Sequence, residues 1–203
     1  MKLNDLQRKQ TNTLLAIGCI ILASLSRIIL PPFLGHPGNF SPIDGIALFS
    51  GACFGRRFLS FLIPLLSVWI SDMIVDFGIY HKFMWFYPGF YWQYLAYVVI
   101  VLIGFALAGT LKNNQVSKLI PGVLGTSFLA SITFFIISNF GVWATNMPHP
   151  MYAHNLQGLL LCFTLGLPFF PHTLLSDVLY SSVLFGSFYL IRIKNEKIIP
   201  ISA

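Results

Sequence analysis

The sequence predicts an all-α membrane protein, a polytopic bundle of six transmembrane helices with a re-entrant or interfacial helix before the last span. Two observations carry that expectation. Hydrophobic residues make up 56% of the 203 and charged residues only 9%, a balance that excludes a soluble domain of this length. The apolar runs are also much longer than the roughly ten residues of a barrel strand. In hydrocarbon only helices and closed barrels satisfy their own backbone groups, so helices remain. The spans fall near 13–30, 42–55, 58–77, 92–110, 120–144 and 173–193, within a single membrane domain covering 1–203.

An even number of spans puts both termini on one side. That side collects Lys2, Arg8, Lys9, Arg56, Arg57, Lys112, Lys118, Arg192, Lys194 and Lys197, leaving only Arg27 and Lys82 elsewhere. Short cytoplasmic loops carry the Lys and Arg, so both termini are expected in the cytoplasm. The net charge of +6 does not mark nucleic-acid binding, because the basic residues sit at the ends of apolar runs and form no continuous face. A basic start before an apolar run has the outline of a secretory signal, but the run continues past Cys19 and further spans follow, so it reads as an uncleaved helix. Cys19, Cys53 and Cys162 lie in apolar sequence without metal-ligand spacing and read as small buried residues.

The first helix carries a stripe of small residues, Ala16, Cys19, Ala23 and Ser26. Such a stripe is an internal seam or a docking face for another membrane protein. Arg27, at its outer end, either snorkels to the interface or pairs with a carboxylate at membrane depth. The second helix starts at Pro42, with Ser41 placed to cap it and Asp44 in the first turn, where the helix dipole favours negative charge. It offers about a dozen apolar residues before Arg56-Arg57, too few to cross a core of ~30 Å. A short, shielded helix leaves a depression above its outer end, and the turn at 39–44 is the expected floor of that cavity. Ala47, Gly51 and Gly55 recur at four-residue spacing, which suits close helix neighbours.

On the third helix Asp72 and Asp76 share a face and call for a cation, a proton or Arg27 between them. The aromatic stretch 79–92 is an interfacial belt or a lid over a cavity. The fourth helix has Gly104 and Ala108 as a packing pair. The fifth ends in Ser138-Asn139-Phe140-Gly141-Val142-Trp143, with Asn139 a buried amide in need of partners. The last outer segment holds His154, Asn155 and the apolar run 156–169, too short to span and closed by Pro168 and Pro171. Asp177 follows one turn into the sixth span.

All five histidines and four of the six acids fall on the outer side. The expected site is therefore an outward-facing polar cavity lined by Asn39, Asp44, Asp72, Asn139, His154 and Asp177. No Ser-His-Asp spacing, His-Glu-x-x-His, Cys-x-x-Cys or nucleotide-binding loop occurs, so no catalytic residue, metal ligand, cofactor or enzymatic reaction is expected.

The pattern Asn39-Phe40-Ser41-Pro42-Ile43-Asp44-x-Ile46-Ala47-Leu48-Phe49-x-Gly51-Ala52, with Ser71-Asp72, Asn139-Phe140-Gly141-Val142-Trp143, Gly158-Leu159-x2-Cys162 and Pro168-Phe169-Phe170-x3-Leu174-x2-Asp177, resembles an uncharacterised family of bacterial inner-membrane proteins, DUF6580. It covers most of the chain. The six-span architecture is also similar, more distantly, to the substrate-binding components of energy-coupling-factor vitamin transporters. That likeness implies a vitamin or metal bound between outer loops and docking on a partner through the first helix. Here the usual Ala-x-x-x-Ala pair is absent, with Cys19-x-x-x-Ala23 in its neighbourhood, and the loop after the third helix holds no cysteine to ligate cobalt, two departures from that pattern.

The combined expectation is a small-solute binding or transport component of the bacterial inner membrane. Its partners would be the lipid bilayer, a small-molecule substrate and an energy-coupling membrane protein, with no nucleic acid. The alternative is a structural or assembly protein of the cell envelope, whose polar residues only cap and pack helices.

Overall fold

The computed structural model describes residues 14, 17–23, 25, 26, 40–54, 57–78, 81, 86–112, 116–145 and 151–194. Six helices are set out in order: α1 (Ile43–Cys53), α2 (Arg57–Gly78), α3 (Phe90–Lys112), α4 (Val116–Ala144), α5 (Leu156–Gly166) and α6 (Phe170–Lys194), with a 3-10 turn at Leu167–Phe169 between the last two. There is no strand among the described residues. Part of the expected first span, with Arg27 and most of the loop that follows it, lies outside them; residues 14, 17–23, 25 and 26 are helical.

Four stretches are long and apolar enough to cross a membrane: Phe58–Gly78, Phe90–Gly109, Lys118–Ala144 and Leu156–Leu190. Their outward-facing side chains are themselves large and apolar, among them Leu102, Phe128, Leu160 and Val183, each about half exposed. Such a surface has lipid as its solvent, and the protein is a helical membrane bundle.

The short helix α1 sits at the centre of this bundle. Every residue from Ile43 to Ala52 is buried. Its eleven residues extend only ~16 Å, about half of a ~30 Å core, so it survives in the membrane by being enclosed. Two glycines set the closeness of that enclosure. A Cβ on Gly51 would lie 2.2 Å from the Val101 carbonyl oxygen, and one on Gly104 would lie 2.4 Å from the Leu48 carbonyl oxygen. The backbones of α1 and α3 therefore touch, as small residues permit in lipid. Along α6 the course of α1 is parallel. Gly45 lies beside Ser181, and the Phe49 ring meets Phe185 and Phe188 at 5.3 and 5.7 Å.

A proline locks α1 to α2. Pro64 has no N–H, so within α2 the carbonyl of Ser60 loses its helical donor. The Ser50 hydroxyl donates to that carbonyl at 2.7 Å, and the Ser60 hydroxyl donates to the Phe54 carbonyl at 3.0 Å. A break in one helix thus becomes a contact with its neighbour.

The C-terminal third folds along α4. Cys162 Sγ donates to the Asn139 carbonyl at 3.3 Å, Phe135 packs edge-on against Phe163 and Phe170, and Ser131 meets Asp177. A short helix does precede the last span, and it leads into that span through the single 3-10 turn, with helical dihedrals at Leu167 and Phe170. Together, Leu156–Leu190 spans 35 residues, ~52 Å, so the run outlasts a ~30 Å core. The start of α5 is capped by Asn155, whose Oδ1 accepts from the Gly158 N–H at 2.8 Å. Gly158 is required there, because a Cβ would come within 1.9 Å of the Ala153 carbonyl oxygen.

In the N-terminal stretch Cys19, Ala23 and Ser26 are buried, while Leu14, Ile17, Ile21 and Leu25 are exposed. The small-residue stripe is a seam within the chain at these positions.

Gly51→Ala should destabilise the protein by about 1–3 kcal/mol, because the clashing atom is backbone and cannot rotate away. Gly186→Ala meets nothing within 4 Å and should be neutral or stabilising. Thermal unfolding of both variants in detergent checks the pair: an equal response would contradict the α1–α3 contact.

Candidate functional site

Asp44 in the first turn of α1 and Asp177 in the second turn of α6 are both buried, 5% and 1% exposed. Their carboxyl groups lie within hydrogen-bonding reach of each other. The Ser131 hydroxyl on α4 donates to Asp177 Oδ2 at 2.5 Å. Three helices thus bring one polar group each to a common point, and no basic side chain is among the described neighbours of the two acids.

The depth of that point follows from the helices. Ser131 is the middle residue of the apolar stretch Lys118–Ala144, so the pair sits near the middle of the membrane-spanning layer. There α1 begins. The N-terminal end of a half-length helix is aimed at a carboxyl pair, and its positive dipole end favours negative charge at that place. Two acids at such depth are expensive to bury, and a pair this close needs a positive charge, a proton or a cation, to share.

Hydroxyls surround the pair. Several other buried serines donate back to their own helix, as Ser67 does to Ile63 at 2.8 Å, Ser71 to Val68 at 2.9 Å and Ser176 to Thr173 at 2.8 Å. Ser127 and Ser181, both 0% exposed, do not: their Oγ atoms are buried without a partner, as are Oδ1 of Asp44 and Oδ1 of Asp177. Ser127 lies one turn before Ser131, and Ser181 one turn after Asp177. Since α4 and α6 are antiparallel and Ser131 meets Asp177, Ser127 and Ser181 fall at the same level. A Cβ on Gly45, next to Asp44, would lie 3.4 Å from Ser181 Oγ, which places α1 against the same layer.

Of the six residues expected to line one outward cavity, the five that are described do not gather in one. Asp44 and Asp177 meet in the closed interior. Asp72 is half-buried on α2. Asn139 donates through Nδ2 to the Phe135 carbonyl at 2.8 Å, and its Oδ1 lies where a Cβ on Gly166 would be, so it serves the packing of α5 on α4. His154 is exposed, its ring 5.7 Å from Trp143. Asn39 lies outside the described residues. A cleft of ≈ 170 Å³ does open between the start of α3 and the end of α4, lined by Tyr87, Trp92, Gln93, Gly141, Thr145 and Met151 among others, and it contains none of the five described site residues. Capping also fails to account for Asp44. The N-cap of α1 is Pro42, without a side-chain bond, and the Ser41 hydroxyl accepts from the Ile43 N–H at 3.4 Å.

Sequence reasoning missed Ser127, Ser131, Ser181 and Gly45. The available signal was the four-residue spacing of Ser127 with Ser131 and of Asp177 with Ser181, which puts polar groups in pairs on otherwise apolar helices.

A sequence model of a family of unknown function, DUF6580, matches residues 7–199. No curated protein and no solved structure matches the chain.

Ser131→Ala removes the donor to a buried carboxyl and should cost about 1.5–3 kcal/mol. Thr133→Ala, whose hydroxyl makes only an exposed bond to the Leu129 carbonyl, should stay within about 0.5 kcal/mol of the parent. Chemical denaturation in mixed micelles compares them, and equal losses would sever Ser131 from Asp177.

Proposed function

The chain belongs to the DUF6580 family, for which no function is established, and we propose that it is a small-solute binding or transport component of the bacterial inner membrane, with the Asp44–Asp177 pair as its ion-handling centre. One observation carries this reading: two carboxyls share a site at mid-depth in an apolar bundle, at the N-terminal end of a half-length helix. Ionisable residues inside membranes mark substrate and ion pathways by default, and transporters place binding sites where a broken helix ends near the midplane. A purely structural role has a simpler solution in an apolar contact, since replacing a buried polar pair by hydrophobic groups of similar shape is often neutral or stabilising.

The orientation that supports this reading is the asymmetry of Lys and Arg, which puts both termini in the cytoplasm. The cleft at Tyr87 and Trp92 then lies at the outer end of the bundle, in the aromatic stretch that reads as either an interfacial belt or a lid over a cavity. An energy-coupling membrane partner would dock on a face other than the Cys19, Ala23 and Ser26 stripe, which the chain buries itself. The competing reading, an envelope assembly protein without a ligand, draws support from Asn139, Gly158 and Gly166, all used in packing.

A thermal-shift screen of the purified protein against a defined panel of vitamins, amino acids and nucleobases separates the two. The transport reading expects at least one solute to raise the unfolding midpoint of the wild type, and expects that shift to vanish in Asp44→Asn and Asp177→Asn proteins that still insert. No shift with any solute, or a shift kept by both variants, would leave the assembly reading standing.

A further inference from the structure

A proton shared between Asp44 and Asp177 satisfies one contact and leaves Oδ1 of each acid, Ser127 Oγ and Ser181 Oγ buried without partners. Buried polar atoms are almost always paired, and four orphans within two adjacent turns of one bundle are too many to be a packing accident. The donor set is all oxygen, with no histidine or cysteine, which suits a hard cation and disfavours zinc or copper. The charge balance points the same way. Two carboxyls that share one proton carry a single negative charge, which a monovalent cation neutralises. Calcium takes six to eight oxygens and magnesium keeps several waters in an octahedron, demands that two carboxyls and two hydroxyls do not meet.

We propose that Asp44, Asp177, Ser127 and Ser181 form a binding site for a small monovalent cation, with sodium as the fitting ion. It rests on the reading of the acid pair as an ion-handling centre and names the ion. The Ser131 hydroxyl holds Asp177 by Oδ2, which leaves Oδ1 free to turn toward the cation. Gly45 keeps α1 close enough for Asp44 to complete the site: a Cβ there would press on Ser181 N and Tyr180 Cβ, each at 3.2 Å. The serine hydroxyls lend lone pairs and keep their protons for other acceptors.

The test uses the full chain in detergent, with no solute present. Sodium chloride is compared with choline chloride at constant ionic strength, by thermal unfolding and by equilibrium binding of radioactive sodium. Saturable binding is expected, with an unfolding midpoint about 5 °C or more higher at a hundredfold excess over the dissociation constant. Asp44→Asn should abolish both signals, and Ser127→Ala, which keeps both carboxyls, should weaken sodium binding by tenfold or more. The same midpoint in both salts together with no sodium bound would overturn the site, and would mean that a buried water or Arg27 meets the four oxygens instead. Sodium binding retained in full by Asp44→Asn would overturn it as well. Because no solute is involved, a negative result here leaves the solute screen untouched, and a failed screen leaves sodium binding to be judged alone.

Discussion

At the N-terminal end of α1 the backbone passes from non-helical to helical inside the membrane-spanning layer, where an unpaired amide has no water to turn to. Irregular backbone survives at that depth only when protein surrounds it. Much of the architecture answers that requirement. α3 closes on α1 through the glycine contact at Gly51 and Gly104, α2 is tied to it by the Ser50 hydroxyl, and α6 lies along its length through Gly45 and the Phe49 rings. The helix most poorly suited to lipid is the one with the most protein around it.

The acid pair belongs to the same arrangement. A half-helix ends where its dipole can act on a side chain from another element, and Asp177 stands there with Asp44 from the helix itself. Repulsion between two carboxyls would push α1 and α6 apart, whereas a positive charge between them draws those helices together. What occupies the site therefore bears on how α1 sits in the bundle. The contrast among serines sharpens the point: those that stabilise helices donate to their own backbone, and the two flanking the acids do not.

The sequence made the class legible through composition, and the shortness of α1 through the distance from Pro42 to Arg56-Arg57. The spacing of Gly51 and the position of Gly104 each signalled close packing, although not that they pack on each other. Depth was misread, for a definite reason. Counting the last span from 173 puts Asp177 near the outer end, but helical structure already begins at Leu156, which carries Asp177 to the middle. In the same way a start of α1 at the outer surface makes Asp44 a cavity floor, whereas the structure buries it in the interior. Pairing between residues on helices far apart in the chain leaves no local period to read, and neither Asp44 with Asp177 nor Ser131 with Asp177 could be drawn from the chain alone. Asn139 was correctly seen as an amide in need of partners, and its partners turned out to be the backbone of its own helix and the glycine-lined face of α5.

The enclosure of α1 has a consequence for how the protein is made. The chain emerges in order, and 133 residues separate Asp44 from Asp177, which at about 5–20 residues per second is roughly 7–27 s of synthesis. Throughout that interval an eleven-residue helix carrying a carboxyl has neither the length to hold itself across the bilayer nor its partner on α6. α1 therefore has its contacts with α2 and α3 available well before the partner of its carboxyl on α6 has been made.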